Sequence, residues 1–233
     1  MVDFHTHILP GIDDGSPDVQ TSLAMLAMEA AQGIRTVAAT PHFQASFDAP
    51  DAFLARRAQA AQLLRSEMAK QPDLPELILG AEVLFFRGMS DSECLPLLTL
   101  GGGRHLLVEM PPAPWPQEHY RELEAIWEKR RLVPVIAHID RYIRPFRTFG
   151  IPKRLAGTPV WVQANTSFFL EKRTAGMAMK MLKAGQIQIL GSDCHNLSSR
   201  RPNLGTAEQQ IRRRLGNDAL EQIRGFEEEI LRV

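Results

Sequence analysis

The 233-residue chain carries 27 basic and 27 acidic side chains, so it has no net charge at pH 7 and no overall electrostatic footprint for nucleic acid. Its 44% hydrophobic content is ordinary for a globular protein, and no apolar run approaches the ~20 residues of a membrane span. Asp3 and two histidines stand where a signal peptide would place a basic start and an apolar run, and Cys94 and Cys194 are too far apart for a metal knuckle; the expectation is one cytoplasmic domain over residues 1–233 with free thiols.

The chain opens on Asp3-Phe4-His5-Thr6-His7. Side chains alternate across a strand, so a strand over residues 2–7 aims the His5 and His7 imidazoles at one point, a metal-binding geometry. Asp3, two residues earlier, is placed to hold a ring N–H. Ser16-Pro17-Asp18 predicts a helix start, with Ser16 as N-cap and Pro17 at the first helical position. Leu23, Leu26, Ala27 and Ala30 repeat at helical spacing, and Gly33 closes that helix. Ile34 to Thr40 is a β-rich run ending at Pro41-His42. A helix over 51–70 precedes a strand from Leu77 to Glu82, and a short helix over 91–98 precedes a strand from Arg104 to Glu109. The proline-rich 110–116 forms a rigid loop. A helix over 117–131 leads to the strand Val133 to His138, and 143–156 is partly helical. Val160 to Asn165 is a strand, 174–184 a helix with methionines on one side, and Gln188 to Ser192 the last strand, running into Asp193-Cys194-His195. Helices over 206–215 and 218–231 finish the chain.

Roughly seven short apolar strands alternating with helices predict a parallel sheet covered on both faces, as a closed or nearly closed barrel. An open doubly wound sheet competes with it, and both gather ligands at the carboxyl ends of the strands. At those ends stand His5, His7, Asp14, His42, Glu82, Glu109, His138, Asp193 and His195. Five of the seven histidines fall there. Nine nitrogen and oxygen donors exceed what one ion takes, so more than one metal is expected.

The runs HTHILPGIDDG at 5–15, TPH at 40–42, GAE at 80–82, VEMP at 108–111, AHIDRY at 137–142 and GSDCHN at 191–196 resemble the PHP (polymerase and histidinol phosphatase) superfamily. More narrowly, they resemble the bacterial metal-dependent protein-tyrosine phosphatases of capsular and exopolysaccharide gene clusters. The resemblance spans residue 2 to about residue 205. It implies the PHP fold, a distorted seven-stranded (β/α)7 TIM-like barrel, and three divalent ions, with manganese first and iron, zinc or cobalt also suited to these ligands. It places His5, His7, Glu82 and Asp193 around one ion, with Glu82 bridging to a second held by Glu109 and His138. Asp14, His42 and His195 surround the third. Arg141 and Arg200 correspond to a phosphate clamp, with Arg201 as the neighbouring alternative. Ile139 stands where the family has proline. The implied partner is an autophosphorylated tyrosine kinase that regulates capsule or exopolysaccharide assembly, through which alone the protein meets the membrane. The oligomeric state stays open.

The chemistry follows from charge. Three divalent ions outweigh the four carboxylates and attract a phosphate dianion, and paired metals lower the pKa of a bridging water so that hydroxide attacks phosphorus in line. The planar guanidinium forks of Arg141 and Arg200 match phosphate oxygens, and no protein nucleophile is needed. A phosphatase of a small metabolite such as histidinol phosphate is the alternative; a nuclease and a catalytically silent metal-binding regulator are further readings. Cys194 and Arg200 share the Cys-x5-Arg spacing of thiolate phosphatases, but residues 195–199 contain no glycine to let backbone N–H groups wrap a phosphate. Cys94 reads as a small core residue. His105 and His119, at element starts, read as surface or capping residues. Asp13 and Asp140 are either ligand supports or solvated acids, and Trp115 either stacks on substrate or packs.

Overall fold

The computed structural model describes residues 1–143 and 150–232. Its strands are β1 (Val2–Thr6), β2 (Thr36–Ala39), β3 (His42–Phe43), β4 (Glu76–Leu79), β5 (Glu82–Leu84), β6 (His105–Glu109), β7 (Val133–Ile136), β8 (Trp161–Asn165) and β9 (Ile189–Gly191). Its helices are α1 (Val19–Ala31), α2 (Pro50–Met68), α3 (Gln117–Arg130), α4 (Ile151–Leu155), α5 (Thr166–Leu170), α6 (Ala175–Lys183), α7 (Leu204–Leu215) and α8 (Asn217–Leu231). Every strand pair is parallel, in the orders β1-β2-β4 and β3-β5-β6-β7-β8-β9. β2 and β3 are halves of one run broken at Thr40-Pro41, and β4 and β5 are halves of another broken at Gly80-Ala81. Just beyond β9 the chain returns to β1: Asp193 N–H donates to the His5 carbonyl at 2.8 Å, and His7 N–H to the Cys194 carbonyl at 2.9 Å.

Two apolar layers hold this sheet. Val2, Phe4, Ala38, Leu107, Val135 and Ile189 meet on one side, joined by Leu100 and by Ile230 of α8. Strand residues of the opposite parity, such as Val37, Leu106, Val108, Ile136, Val162 and Leu190, pack against the helices. Each fully buried large side chain contributes about 1.5–3 kcal/mol, so this double burial selects β-branched and leucine-rich strands over alternating ones. No helix among the described residues is long and apolar enough to cross a membrane.

Several local expectations need correction. Asp18 caps α1, its carboxylate accepting from Thr21 N–H at 2.7 Å, because Pro17 lies outside the helix and Ser16 instead donates to the Asp18 carbonyl. The strand expected over 77–82 is interrupted at Gly80, where an added Cβ would meet Leu100 Cδ2 at 2.9 Å. The helix expected over 91–98 is two 3-10 turns, Met89–Asp91 and Leu95–Leu98, the second with Pro96 at its start. Within 143–156, α4 is helical, while 144–149 lie outside the described residues. α5, in a stretch given no element from the sequence, follows β8 directly and buries Phe168 and Phe169. His105 is no surface residue: it is buried, with its ring 4.3 Å from that of Trp161. His119 is half-buried beside Phe85, ring centroids 4.5 Å apart.

Candidate metal centre

β1 contains one residue more than its partner. Asp3 pairs with Val37 and Thr6 with Ala39, so a bulge interrupts the alternation between them. The bulge re-aims the side chains. His5 and His7, the latter just past the strand end, have their Nε2 atoms 3.2 Å apart. Asp3 does not hold an imidazole, contrary to the alternation argument. Its Oδ1 accepts from the His5 and Ser192 backbone N–H groups, and its carboxyl meets Glu29 of α1. Burial and the Asp3 charge push Glu29 up to about 10.

The outward ring nitrogens of His5, His7 and His195 are engaged, while that of His138, Nδ1, is buried without a hydrogen bond. His7 Nδ1–H donates to Asp13 Oδ2 at 2.7 Å, His5 Nδ1–H to Gln163 Oε1 at 3.2 Å, and His195 Nδ1–H to the Asp193 carbonyl at 3.0 Å. When these rings are neutral, the inward nitrogens carry the lone pairs, which is the ligating form.

Glu82, at the start of β5, occupies the centre. Its Oε2 lies 3.1 Å from His5 Nε2, 3.2 Å from His7 Nε2 and 3.1 Å from His42 Nδ1, and its Oε1 lies 2.7 Å from His138 Nε2. Glu109, ending β6, approaches His138 Nε2 at 3.7 Å. Asp193 Oδ1 is 3.7 Å from His5 Nε2 and 3.6 Å from His7 Nε2. Asp14, 64% exposed, places Oδ1 3.4 Å from both His42 Nε2 and His195 Nε2. Three donor sets lie compactly enough to hold ions: His5, His7 and Asp193; His42, Glu82 and Glu109; and His7, Asp14, His42 and His195. All nine expected ligands are thus brought together.

The donors fit metal better than they fit one another. Glu82 Oε2 and His195 Nε2 are buried without a hydrogen bond, and the Nε2 atoms of His5 and His7 crowd each other at 3.2 Å while facing carboxylates. Cations between them resolve both conflicts. The titration equilibria show the same crowding. Burial alone would lower His7, yet the Asp13 and Glu82 carboxylates that face it raise it to about 10. Burial and the Glu82 charge push Glu109 up to about 7, while burial and neighbouring His7 bring His195 down to about 4.

Both arginines converge on Asp193. Arg141, in the 3-10 turn Ile139–Arg141, donates from Nη2 to Asp193 Oδ2, and Arg200 donates from Nη2 to Oδ1 at 2.7 Å. Their side chains are 42% and 38% exposed, so each guanidinium keeps donors toward solvent. Arg201 is exposed. Cys194 is fully buried; burial and the Glu29 and Asp3 carboxyls raise its thiol well above its ordinary value, the reverse of a nucleophile's environment. Cys94 is half-buried against the core. Trp115 packs: it is buried, its Nε1–H donates to the Pro111 carbonyl at 2.8 Å, and its ring lies 5.0 Å from that of Tyr142. Asp13 supports His7, and Asp140 Oδ1 accepts from Asn165 N–H at 2.9 Å. Sequence reasoning passed over Gln163 and Asn165 as site residues. Their spacing of two at the end of a strand was the available signal, the same that marks His5 and His7.

Residues 1–230 match the family described as capsular polysaccharide synthesis, CpsB/CapC. Tyrosine-protein phosphatase YwqE of Bacillus subtilis (strain 168) is 27% identical over 224 residues, spanning 94% of this chain and 86% of that protein. Tyrosine-protein phosphatase CpsB of Streptococcus pneumoniae is 26% identical over 229 residues, spanning 93% and 91%. Among solved structures, a chain from the crystal structures of YwqE from Bacillus subtilis and CpsB from Streptococcus pneumoniae, described as unique metal-dependent tyrosine phosphatases, superposes with a TM-score of 0.86. That match covers 100% of this chain and 94% of the other at 23% identity, and it establishes the shared α/β fold. With the family model matching nearly end to end, the chain belongs to the CpsB/CapC family of capsular polysaccharide synthesis.

Proposed function

We propose that this protein is a metal-dependent phosphomonoesterase that hydrolyses phosphotyrosine in a protein substrate. The observation that carries the reading is the convergence of nine donor side chains, Glu82 at their centre, flanked by two half-exposed guanidinium groups. The names of the CpsB and YwqE relatives support the substrate class. We read His5, His7, Glu82 and Asp193 as holding one divalent ion, Glu82, Glu109 and His138 a second, and Asp14, His42 and His195 a third, with manganese the first candidate. When bound, such ions neutralise phosphate charge and lower the pKa of a water at the site.

The chain's own residues do the rest. Asp13 keeps the His7 lone pair turned inward, and Asp193 anchors both guanidinium groups beside the ligands. The remaining forked donors of Arg141 and Arg200 suit phosphate oxygens and stabilise their growing charge. A phenol, with a pKa of ~10, leaves more readily than an alkanol, which lessens the need for a general acid. The exposure of Asp14 and the arginines leaves the centre open on one side, as a side chain presented on a protein surface requires.

We further read the seven strand positions as the distorted barrel of the PHP fold, and residues 1–233 as one cytoplasmic catalytic domain whose partner is an autophosphorylated tyrosine kinase of capsule or exopolysaccharide assembly. The test is initial rates on a phosphotyrosine peptide, a phosphoserine peptide and histidinol phosphate under the same metal. A kcat/KM for the phosphotyrosine peptide at least about tenfold above the others is the expected outcome. Preference for histidinol phosphate would overturn the substrate assignment in favour of a small-metabolite phosphatase.

A further inference from the structure

Gln163 and Asn165 stand two residues apart on β8, and both are buried. Gln163 Oε1 accepts from the His138 backbone N–H at 2.6 Å and faces His5 Nδ1 at 3.2 Å. A backbone amide only donates, so this end of the Gln163 amide is the oxygen. An amide oxygen only accepts, so His5 Nδ1 carries a proton, and in the neutral ring the lone pair is on Nε2, which faces Glu82 and Asp193. Gln163 Nε2 donates to Asn165 Oδ1 at 3.1 Å, and Asn165 Nδ2 donates to Asp193 Oδ2 at 3.0 Å. The relay has one polarity throughout, fixed by a backbone donor at one end and a carboxylate at the other.

Its two ends are also where the backbone is strained. His138 and Asp193 have φ of 32° and 53°, and among the described residues the only other non-glycine at positive φ is Arg131, which ends α3. Such conformations persist where the surroundings hold them. The Gln163 oxygen holds the His138 N–H, and the Asn165 amide holds the Asp193 side chain.

We infer that Gln163 and Asn165 are positioning residues of the metal centre: Gln163 fixes the tautomer and aim of His5 and the turn that carries His138, and Asn165 fixes the Asp193 carboxylate. Being neutral, they add no charge to a centre already holding four carboxylates. The inference rests on the reading of the centre as a metal site.

The experiment is titration of chelated, dialysed protein with Mn2+, with bound ions counted by elemental analysis after gel filtration, affinity taken by calorimetry, and the melting temperature of the metal-free form recorded. Gln163→Met fills the same space without an acceptor and is expected to weaken the tightest site 10–100-fold, about the range for supports of metal ligands. Gln163→Glu keeps an acceptor for His5 and His138 but loses the donor to Asn165 and adds charge, so it too is expected to weaken binding, by about tenfold. Asn165→Asp, isosteric but charged beside Asp193, is expected to weaken binding about tenfold. Wild-type affinity in Gln163→Met, with only its metal-free melting temperature lowered, would show a packing role and overturn the inference, as would wild-type affinity in Gln163→Glu. If Gln163→Met does not fold, Asn165→Asp decides, and wild-type affinity there is contrary. A wild-type protein that retains no ion overturns the metal reading itself.

Discussion

Glu82 faces four imidazoles with one carboxylate, and burial is tolerated because those neighbours hold its pKa well below the ordinary range. Replacing it by glutamine leaves shape but removes the charge that the proposed first and second ions share. Glu82→Gln is expected to lower kcat/KM at least about a hundredfold and to reduce the number of bound ions, both measurable on one purified sample. Cys194 is the contrasting case. It lies between Asp193 and His195 in sequence, yet its side chain is fully buried, near the Asp3 and Glu29 carboxyls. Cys194→Ser is expected to retain activity within about threefold, whereas a thiolate nucleophile would make the loss at least about 10^4-fold. The convergence of the nine donor side chains was legible at this scale because histidines and acids recur where strands end. The role of Asp3 was misread, since the extra residue in β1 is invisible to an argument from alternation.

At the scale of elements, close backbone approach shapes the centre. Gly191 ends β9 against β1, and a Cβ there would lie 2.4 Å from His5 Cβ and 2.9 Å from Gln163 Nε2. Neither neighbour has room to move, so Gly191→Ala is expected to cost about 1–3 kcal/mol in urea denaturation and to weaken metal binding, since the methyl displaces His5. β6 carries a second buried group at its opposite end. Burial and the adjacent Arg104 charge lower His105 to about 4, and its Nε2 is buried without a hydrogen bond. The unfolded value is ~6.5, so the folded state binds fewer protons between the two. This contribution is complete above pH ~6.5 and is lost as pH falls toward 4, with about 2 kcal/mol gone by pH ~5. Glu109 and Asp140, raised to about 7 and about 6, act in the opposite direction, so the comparison is with a variant. His105→Leu is expected to lose less stability than wild type between pH 7 and pH 5; equal loss would mean that His105 titrates normally. Strands of Val, Ile and Leu ending on polar residues were readable, as were the longer helices. The 3-10 turns near Pro96 and the α5 turn were not, because tertiary packing of Phe168 and Phe169 overrides their β propensity.

Across the whole molecule, the centre draws donor side chains from β1, β3, β5 and β6 and from the segments that follow β1, β7 and β9, so it spans residues 5 to 195. Parallel order and strand-end chemistry made that convergence legible. The amide relay on β8 was not, because Gln163 and Asn165 acquire their meaning only once His5, His138 and Asp193 surround them. The central claim is that this assembly catalyses phosphotyrosine hydrolysis through bound metal. The most direct test measures turnover of a phosphotyrosine peptide before chelation, after chelation and dialysis, and after readdition of Mn2+, with bound ions counted at each stage. The account predicts a loss of at least about a hundredfold on chelation and recovery as occupancy rises toward about three ions per chain. Undiminished turnover by protein freed of its metal would contradict it.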